Sequence, residues 1–240
     1  MSDLNNCFEL ETSTGGILPF KGAHVEASLF GLLAIVELKQ QWCNNGNEAI
    51  EALYTFPLAA NAQLIGLTMT IGERSLEGVV QPKSNATASY EEAISEGQRA
   101  ALVMDVGEDL KQIALGNIQP GDEISITLRW VEPLRWSDKN LRWRLPTVIA
   151  PRYGNPEDAG LTAGQVPHTD LLARYDLTLK VRLEGELART QVSCPTHSVA
   201  VSKTDNQLLL QLAEDARLDR DFVLNLQADA PQAAELWSFK

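Results

Sequence analysis

Alternation of apolar and polar residues with a period of two is the feature that most constrains how this chain can fold. Every second residue is apolar over 124–130, 141–145 and 175–183. Such alternation lets each strand bury one face against a core. About a dozen short segments of this kind, separated by turns such as the Asn-Asn-Gly-Asn of 44–47, favour a sandwich or a barrel over a parallel α/β sheet. We expect an all-β chain, an antiparallel β-sandwich of about a dozen strands.

One stretch departs from this alternation and predicts a single inserted α-helix over about 84–97. The apolar residues that recur at helical spacing there are Ala86, Tyr90, Ala93 and Ile94. Gly97 can supply the left-handed residue that ends a helix. A strand and a tight turn at 116–121 follow. The sequence therefore predicts a helix that is clasped onto a β-structure.

Charge and cysteine content exclude several classes of protein. The 240 residues carry 20 Lys and Arg against 32 Asp and Glu, a formal net charge of −12. This balance works against binding of nucleic acid or an anionic membrane. The N-terminus has no signal-peptide pattern, and no apolar window is long enough to cross a bilayer. Cys7, Cys43 and Cys194 lack Cys-x-x-Cys spacing and indicate thiols in a reducing compartment. We expect a cytoplasmic location, no nucleic-acid partner and no membrane insertion.

Catalytic and cofactor signatures are missing from the sequence. It holds no nucleophile elbow, phosphate-binding loop, dinucleotide fingerprint or His-Glu-x-x-His motif. Cys194 and His197 could offer two ligands to one metal ion, but such a pair in a strand–turn–strand is more often structural. Acidic pairs such as Glu91 and Glu92 are most simply solvated faces. We expect no enzyme activity, no cofactor and no metal site.

A segment rich in arginine and tryptophan, residues 129–144, is the candidate ligand surface. Arg129, Arg135 and Trp136 could form a stacking platform for a sugar or a single-stranded nucleic acid. The competing interpretation is a hairpin whose tryptophans face the core. It is favoured because Trp130 and Trp143 are in phase with core aliphatics, whereas Trp136 falls in a turn. A carbohydrate-binding sandwich that uses Trp136 is therefore the alternative function.

Several linked motifs between residues 17 and 153 form an ordered set. They include Glu-Ala-Leu-Tyr-Thr-Phe-Pro-Leu at 51–58, the helix, Gly-Asn-Ile-Gln-Pro-Gly at 116–121, and Pro-Arg-Tyr at 151–153. The residues that stand out are Glu51, Tyr54, Phe56, Pro57, Lys83, Tyr90, Gly97, Gly116, Asn117, Pro120, Gly121, Pro146, Arg152 and Tyr153. In order and spacing this set resembles the vault protein inter-alpha-trypsin (VIT) domain family.

The resemblance implies a domain organisation and a function. It implies a VIT-type β-sandwich over 1–228, with a loop at 151–170, further strands at 174–227, and a tail at 229–240 toward a downstream domain. In the family this domain precedes a von Willebrand factor type A domain, whose Asp-x-Ser-x-Ser metal motif does not occur in the present sequence. The resemblance therefore implies a non-catalytic interaction or scaffolding module whose partner is such a downstream domain. Within the motifs, we expect Glu51 and Arg152 to pair across the fold, because a buried charge needs a partner.

Overall fold

Strands make up most of the described structure. The computed structural model describes residues 5–6, 10–12, 20–59, 61–78, 83–98, 100–107, 110–146, 148–149, 176–204, 206–213 and 220–229. Its strands are β1 (Asn5–Asn6), β2 (Leu10–Thr12), β3 (Phe20–Phe30), β4 (Leu33–Cys43), β5 (Ile50–Pro57), β6 (Gln63–Ile71), β7 (Arg74–Glu77), β8 (Ala100–Gly107), β9 (Leu110–Ile118), β10 (Glu123–Pro133), β11 (Trp136–Ser137), β12 (Asn140–Leu145), β13 (Val148–Ile149), β14 (Asp176–Glu184), β15 (Gln191–Ser193), β16 (Val199–Lys203), β17 (Gln207–Leu212) and β18 (Phe222–Gln227). The helices are α1 (Lys83–Ser95) and a short 3₁₀ helix (Gly185–Arg189).

These strands form one large sheet and three smaller ones. The eight-stranded sheet has the order β16-β17-β14-β3-β4-β10-β6-β7, and the four-stranded sheets have the orders β11-β12-β18-β15 and β2-β5-β9-β8, while β1 pairs with β13. The large sheet is open, with β16 and β7 at its edges. The expected all-β sandwich class is confirmed, and so is the inserted helix, which runs over Lys83–Ser95 rather than 84–97.

Two details differ from the expected antiparallel sandwich of about a dozen strands. First, the described residues contain eighteen strands, because several have only two or three residues and are too short to show alternation. Second, β3 and β14 pair in parallel, with Val25 beside Leu179. Strands joined by a tight turn must run antiparallel, whereas the long segment before β14 can return the chain in either direction.

The core lies between the inner face of the eight-stranded sheet and the two four-stranded sheets. Trp42 of β4 packs edge-on against Tyr54 of β5, with ring centroids 5.1 Å apart. On the other side, the Trp143 indole of β12 donates a hydrogen bond to the Glu132 carboxylate of β10. Phe222 of β18 is also fully buried. The described strands of 176–227 therefore share sheets and core with the motif-bearing strands, while 151–170 and 230–240 lie outside the described residues.

Candidate interaction surfaces

The motif-bearing residues meet where α1 lies against β9. A Cβ atom on Gly116 of β9 would sit 2.0 Å from Cδ1 of Ile94 and 3.3 Å from the Tyr90 hydroxyl. Tyr90 and Ile94 are half-buried, as are Ala86 and Ala93, whereas Glu91 and Glu92 are exposed. Glycine at 116 is therefore what allows the apolar stripe of the helix to approach the strand so closely.

The end of α1 is fixed by two residues in the left-handed conformation. Gly97 has φ 74, and the N–H groups of Gly97 and Gln98 donate to the carbonyls of Ile94 (2.9 Å) and Ala93 (2.8 Å), which is a Schellman motif. Asn117 has φ 56, and its Nδ2 donates to the carbonyl of Gln98 at 2.8 Å and to that of Ile94 at 3.4 Å. The amide of Asn117 thus ties the last turn of the helix to strand β9.

A buried asparagine, whose sequence context predicts only a turn, organises the neighbouring corner. Asn44 is 2% exposed, and its Nδ2 donates to the carbonyls of Glu48 (3.0 Å) and Ile118 (3.2 Å). Its own carbonyl accepts from the N–H of Gly121, which has φ 78, in the turn that follows the exposed Pro120. Asn44 therefore joins the two connections, β4–β5 and β9–β10, by which the chain passes between sheets.

The remaining motif residues divide between the core and the surface. Tyr54 and Phe56 are buried and stack with centroids 5.5 Å apart, and the Tyr54 hydroxyl donates to the buried Gln40. Pro57 ends β5, Lys83 begins α1 and Pro146 is half-buried.

Glu51 differs from the expectation of a buried charge, because it is exposed. It lies near Tyr90, whose phenol pKa is raised first by burial and further by the Glu51 carboxylate. Arg152 and Tyr153 lie outside the described residues, so the pairing of Glu51 with Arg152 stays a prediction.

The arginine and tryptophan segment is divided between two sheets. Trp130 and Trp143 are buried at 5% and 2% exposure, which confirms their expected core positions. Arg129 lies in the eight-stranded sheet and forms an ion pair with Glu37 at 3.5 Å. Trp136 lies in a four-stranded sheet, half-buried against the core, and Arg135 is exposed. This arrangement does not favour a shared stacking platform.

The outer face of the eight-stranded sheet has a charged middle. Lys180 pairs with Glu26 at 3.9 Å, and Arg129 pairs with Glu37. Glu26 and Glu37 are directly opposite each other across β3 and β4. The four side chains thus form an ionic row in the order Lys180, Glu26, Glu37 and Arg129, with the two carboxylates side by side and a basic group at each end.

One end of the same outer face is apolar. We call it the apolar end, and its residues are Phe30, Leu32, Leu33, Ile35, Ile65, Val131 and Pro133. Leu33 is opposite Pro133 and Ile35 is opposite Val131 across β4 and β10. Leu32, Leu33 and Ile65 are three of the four exposed large hydrophobic side chains in the described part of the chain, at 47%, 41% and 52% exposure. Apolar side chains clustered on a surface are typical of a contact site.

Few groups with catalytic or metal-binding chemistry come together in the described residues. No cluster of three His, Cys, Asp or Glu side chains that could hold a metal ion is found there. Cys194 and His197, the pair that could offer two metal ligands, lie in one turn on either side of Thr196. The Thr196 hydroxyl is 3.8 Å from the Cys194 thiol and 3.0 Å from Nδ1 of His197. Within the same ranges, no helix has both the length and the hydropathy needed to cross a membrane.

Comparison with known proteins places this architecture in a family. The chain is 28% identical over 226 residues to mouse "von Willebrand factor A domain-containing protein 5A", a match that covers 90% of this chain and 28% of that protein. It is 22% identical over 232 residues to human "Protein mono-ADP-ribosyltransferase PARP4", covering 95% of this chain and 14% of that protein. It is 30% identical over 93 residues to bovine "Inter-alpha-trypsin inhibitor heavy chain H3", covering 38% and 10%.

The chain therefore spans less than a third of the length of each of these relatives. Residues 20–130 match the model of the vault protein inter-alpha-trypsin domain. This range contains the helix, the close contact at Gly116, the corner joined by Asn44, and the contact of Asn117 with the end of the helix. Residues 20–130 of this chain belong to the vault protein inter-alpha-trypsin domain family.

Proposed function

We propose that this chain is a non-catalytic protein-interaction module that supports an adjacent domain, and that its partner is a von Willebrand factor type A domain. The observation that carries the proposal is the family match over 20–130, together with relatives that are named for a von Willebrand factor A domain and are more than three times as long as the matched region. The part of such a relative outside the match is where a partner domain would lie.

The physical character of the described structure supports a role as a platform. Two layers of sheet share one core, Asn44 joins the connections between them, and Asn117 fixes the end of α1 on β9. A rigid surface loses little conformational entropy when it binds, so its contact area contributes more to affinity. The ionic row and the apolar end supply both polar and apolar contact area, as protein interfaces require.

The absence of catalytic activity and a cytoplasmic location are parts of the same proposal. One relative is named as an ADP-ribosyltransferase, but this chain corresponds to 14% of its length. Cys43 and Cys194 are free thiols, which accords with a reducing compartment. The acidic net charge of −12 argues against a nucleic-acid partner.

Titration calorimetry tests the proposal directly. The intact chain is titrated with the von Willebrand factor A domain of the mouse relative, and we expect saturable one-to-one binding with a Kd on the order of micromolar. The matching region of the mouse protein serves as a positive control, and an unrelated β-sandwich of similar net charge serves as a negative control. Binding by the mouse region without binding by this chain would contradict the proposal.

A further inference from the structure

Strand β16 is an edge of the eight-stranded sheet, and among the described strands it pairs only with β17. At the two ends of this ladder, the N–H of Ala213 donates to the Ser198 carbonyl at 3.1 Å and the N–H of Thr204 donates to the Gln207 carbonyl at 2.9 Å. Hydrogen-bonding groups alternate in direction along an antiparallel strand, so the even-numbered residues of β16 turn their N–H and C=O groups toward β17. The backbone groups that point away from the sheet belong to Val199, Val201 and Lys203.

The inner face of the sheet loses its cover at this same strand. One row of apolar side chains crosses six strands, and its members are Trp130, Val36, Ala27, Val181, Leu210 and Val201. The first five are at most 5% exposed, whereas Val201 is 54% exposed. A further strand beside β16 would continue the row and remove Val201 from water, which is favourable for an apolar side chain.

β16 has few of the features that protect the edge of a sheet. Edge strands are commonly protected by proline, by a bulge or by charged side chains. At the other edge, β7 has only four residues and carries a charge at each end, Arg74 and Glu77. β16 contains no proline, its pairing with β17 is regular, and its single charge is Lys203 at the last position. The edge of β16 is therefore open to another strand.

We propose that two copies of this chain pair through β16, antiparallel and about a two-fold axis at Val201. In this register all five residues of β16 are paired, and the outward backbone groups of one copy meet those of the other. Val201 faces Val201 across the axis, and Lys203 faces Val199 rather than a like charge. A second copy is the occupant because β16 itself supplies both the outward backbone groups and the apolar side chain that the edge lacks.

The pairing is independent of the surfaces used in the proposed function. The ionic row and the apolar end lie on the outer face of the sheet, whereas the two copies meet through the edge of β16 and through Val201, which shares a face with the buried Leu210. The inference therefore goes beyond the proposed function, since it concerns two copies of this chain and needs no partner domain.

Contact size and charge determine how strongly the copies associate. Five residues a side form a small interface, for which we expect a Kd on the order of 100 µM. Each copy has a formal net charge of −12, so the copies repel each other, and salt screens this repulsion. Association should therefore increase with protein concentration and with salt concentration.

Sedimentation velocity of the intact chain measures this association. We expect one-chain species at about 5 µM and two-chain species at about 500 µM, with more of the latter at about 0.5 M NaCl than at about 0.05 M. Val201→Lys should raise the Kd by at least about tenfold, because two ammonium groups would face each other across the axis. Val201 is 54% exposed, so a lysine there leaves the fold intact, which circular dichroism checks.

Ile65→Lys is the matched control. Ile65 is 52% exposed on β6, and its replacement changes the net charge by the same amount at a site away from β16. We expect this variant to keep the Kd of the parent to within about twofold. Equal effects of Val201→Lys and Ile65→Lys would overturn the proposal.

Amide hydrogen exchange followed by NMR identifies the strand that pairs. At the concentration that gives two-chain species, exchange should slow at the outward N–H groups of Val199, Val201 and Lys203. The N–H groups of Ala200 and Ser202 already bond to β17 and should not change. Association without slower exchange at the outward groups would overturn the proposal. So would one-chain species at every protein and salt concentration, which would leave this edge to a strand of another protein. Each outcome concerns this chain alone and is distinct from the calorimetric test of partner binding.

Discussion

At the scale of single residues, a few polar side chains lie in the core, and the apolar pattern of the sequence does not predict their environment. Glu132 is 6% exposed on the inner face of β10, where the Trp143 indole donates to it. The apolar alternation of β10 is plain in the sequence only as far as Trp130. Continuing it by two residues places Glu132 on the buried face, but a carboxylate there contradicts the usual rule that charges stay outside. Sequence periodicity thus predicts the position of Glu132 and not its environment.

Burial of Glu132 makes stability depend on pH in a definite direction. Desolvation raises the pKa of Glu132 above its ordinary value of 4.5, while the Trp143 hydrogen bond and the charge of Arg144 oppose the shift. The folded state therefore binds this proton more tightly than the unfolded state. The stabilising contribution is full below about pH 4.5 and is lost as the pH rises through the folded pKa.

Glu132→Gln should remove this dependence, because glutamine keeps the acceptor for Trp143 without the charge. We expect the variant to exceed the parent in free energy of unfolding by about 1 kcal/mol at pH 8, with the difference shrinking toward pH 4.5. Urea unfolding at several pH values measures it.

Glu123→Gln is the control for Glu132→Gln. Lys21 donates to Glu123 at 2.5 Å and lowers the pKa of that exposed carboxyl, so its contribution is present above pH 4.5 and lost as the pH falls through the folded pKa. Its replacement should therefore act in the opposite direction. A difference between Glu132→Gln and the parent that does not change with pH would contradict the account.

At the scale of elements, local signals predict α1 well and its docking poorly. Helical spacing and Gly97 give the position of the helix to within two residues at either end. The reason is that the apolar stripe and the glycine cap both depend on residues that are close together in the chain. Two features of the docking depend on neighbours far away in the chain. These are the approach of Ile94 to Gly116 and the amide of Asn117 on the last helical turn. In the sequence, only the family resemblance draws attention to Gly116 and Asn117.

The contact between Ile94 and Gly116 predicts a coupled effect on stability. Gly116→Ala should cost about 1–3 kcal/mol, because the new Cβ would meet Cδ1 of Ile94. In an Ile94→Val background, which removes that atom, we expect the cost of Gly116→Ala to fall by about 1 kcal/mol. Chemical denaturation of the four proteins in this double-mutant cycle gives the coupling energy.

Gly121→Ala provides the comparison for this cycle. Gly121 has φ 78, and a Cβ atom added there would meet no other atom within 4 Å, so its replacement is penalised by backbone conformation alone. Ile94→Val should therefore leave the cost of Gly121→Ala unchanged. Equal costs of Gly116→Ala in both backgrounds would show that α1 does not rest on β9 in this way.

At the scale of the whole molecule, the class of fold follows from the sequence and the pairing of strands does not. Alternation predicts strands at 124–130, 141–145 and 175–183, and the structure has β10, β12 and β14 there. Which strands become neighbours depends on side chains that are distant in sequence, so the parallel placement of β14 beside β3 could not be read from either strand alone. The apolar end has the same origin, because Leu33, Ile65 and Pro133 come from three different strands.

The role proposed for this fold is that of a rigid platform that binds a partner domain through its surface. Hydrogen exchange of the intact chain, alone and saturated with the von Willebrand factor A domain of the mouse relative, tests it most directly. The account predicts slower exchange in one contiguous surface region, with no change in the buried strands β4 and β10, whose amides are protected already. Unchanged exchange throughout the chain, under conditions where the matching region of the mouse protein is protected, would contradict it.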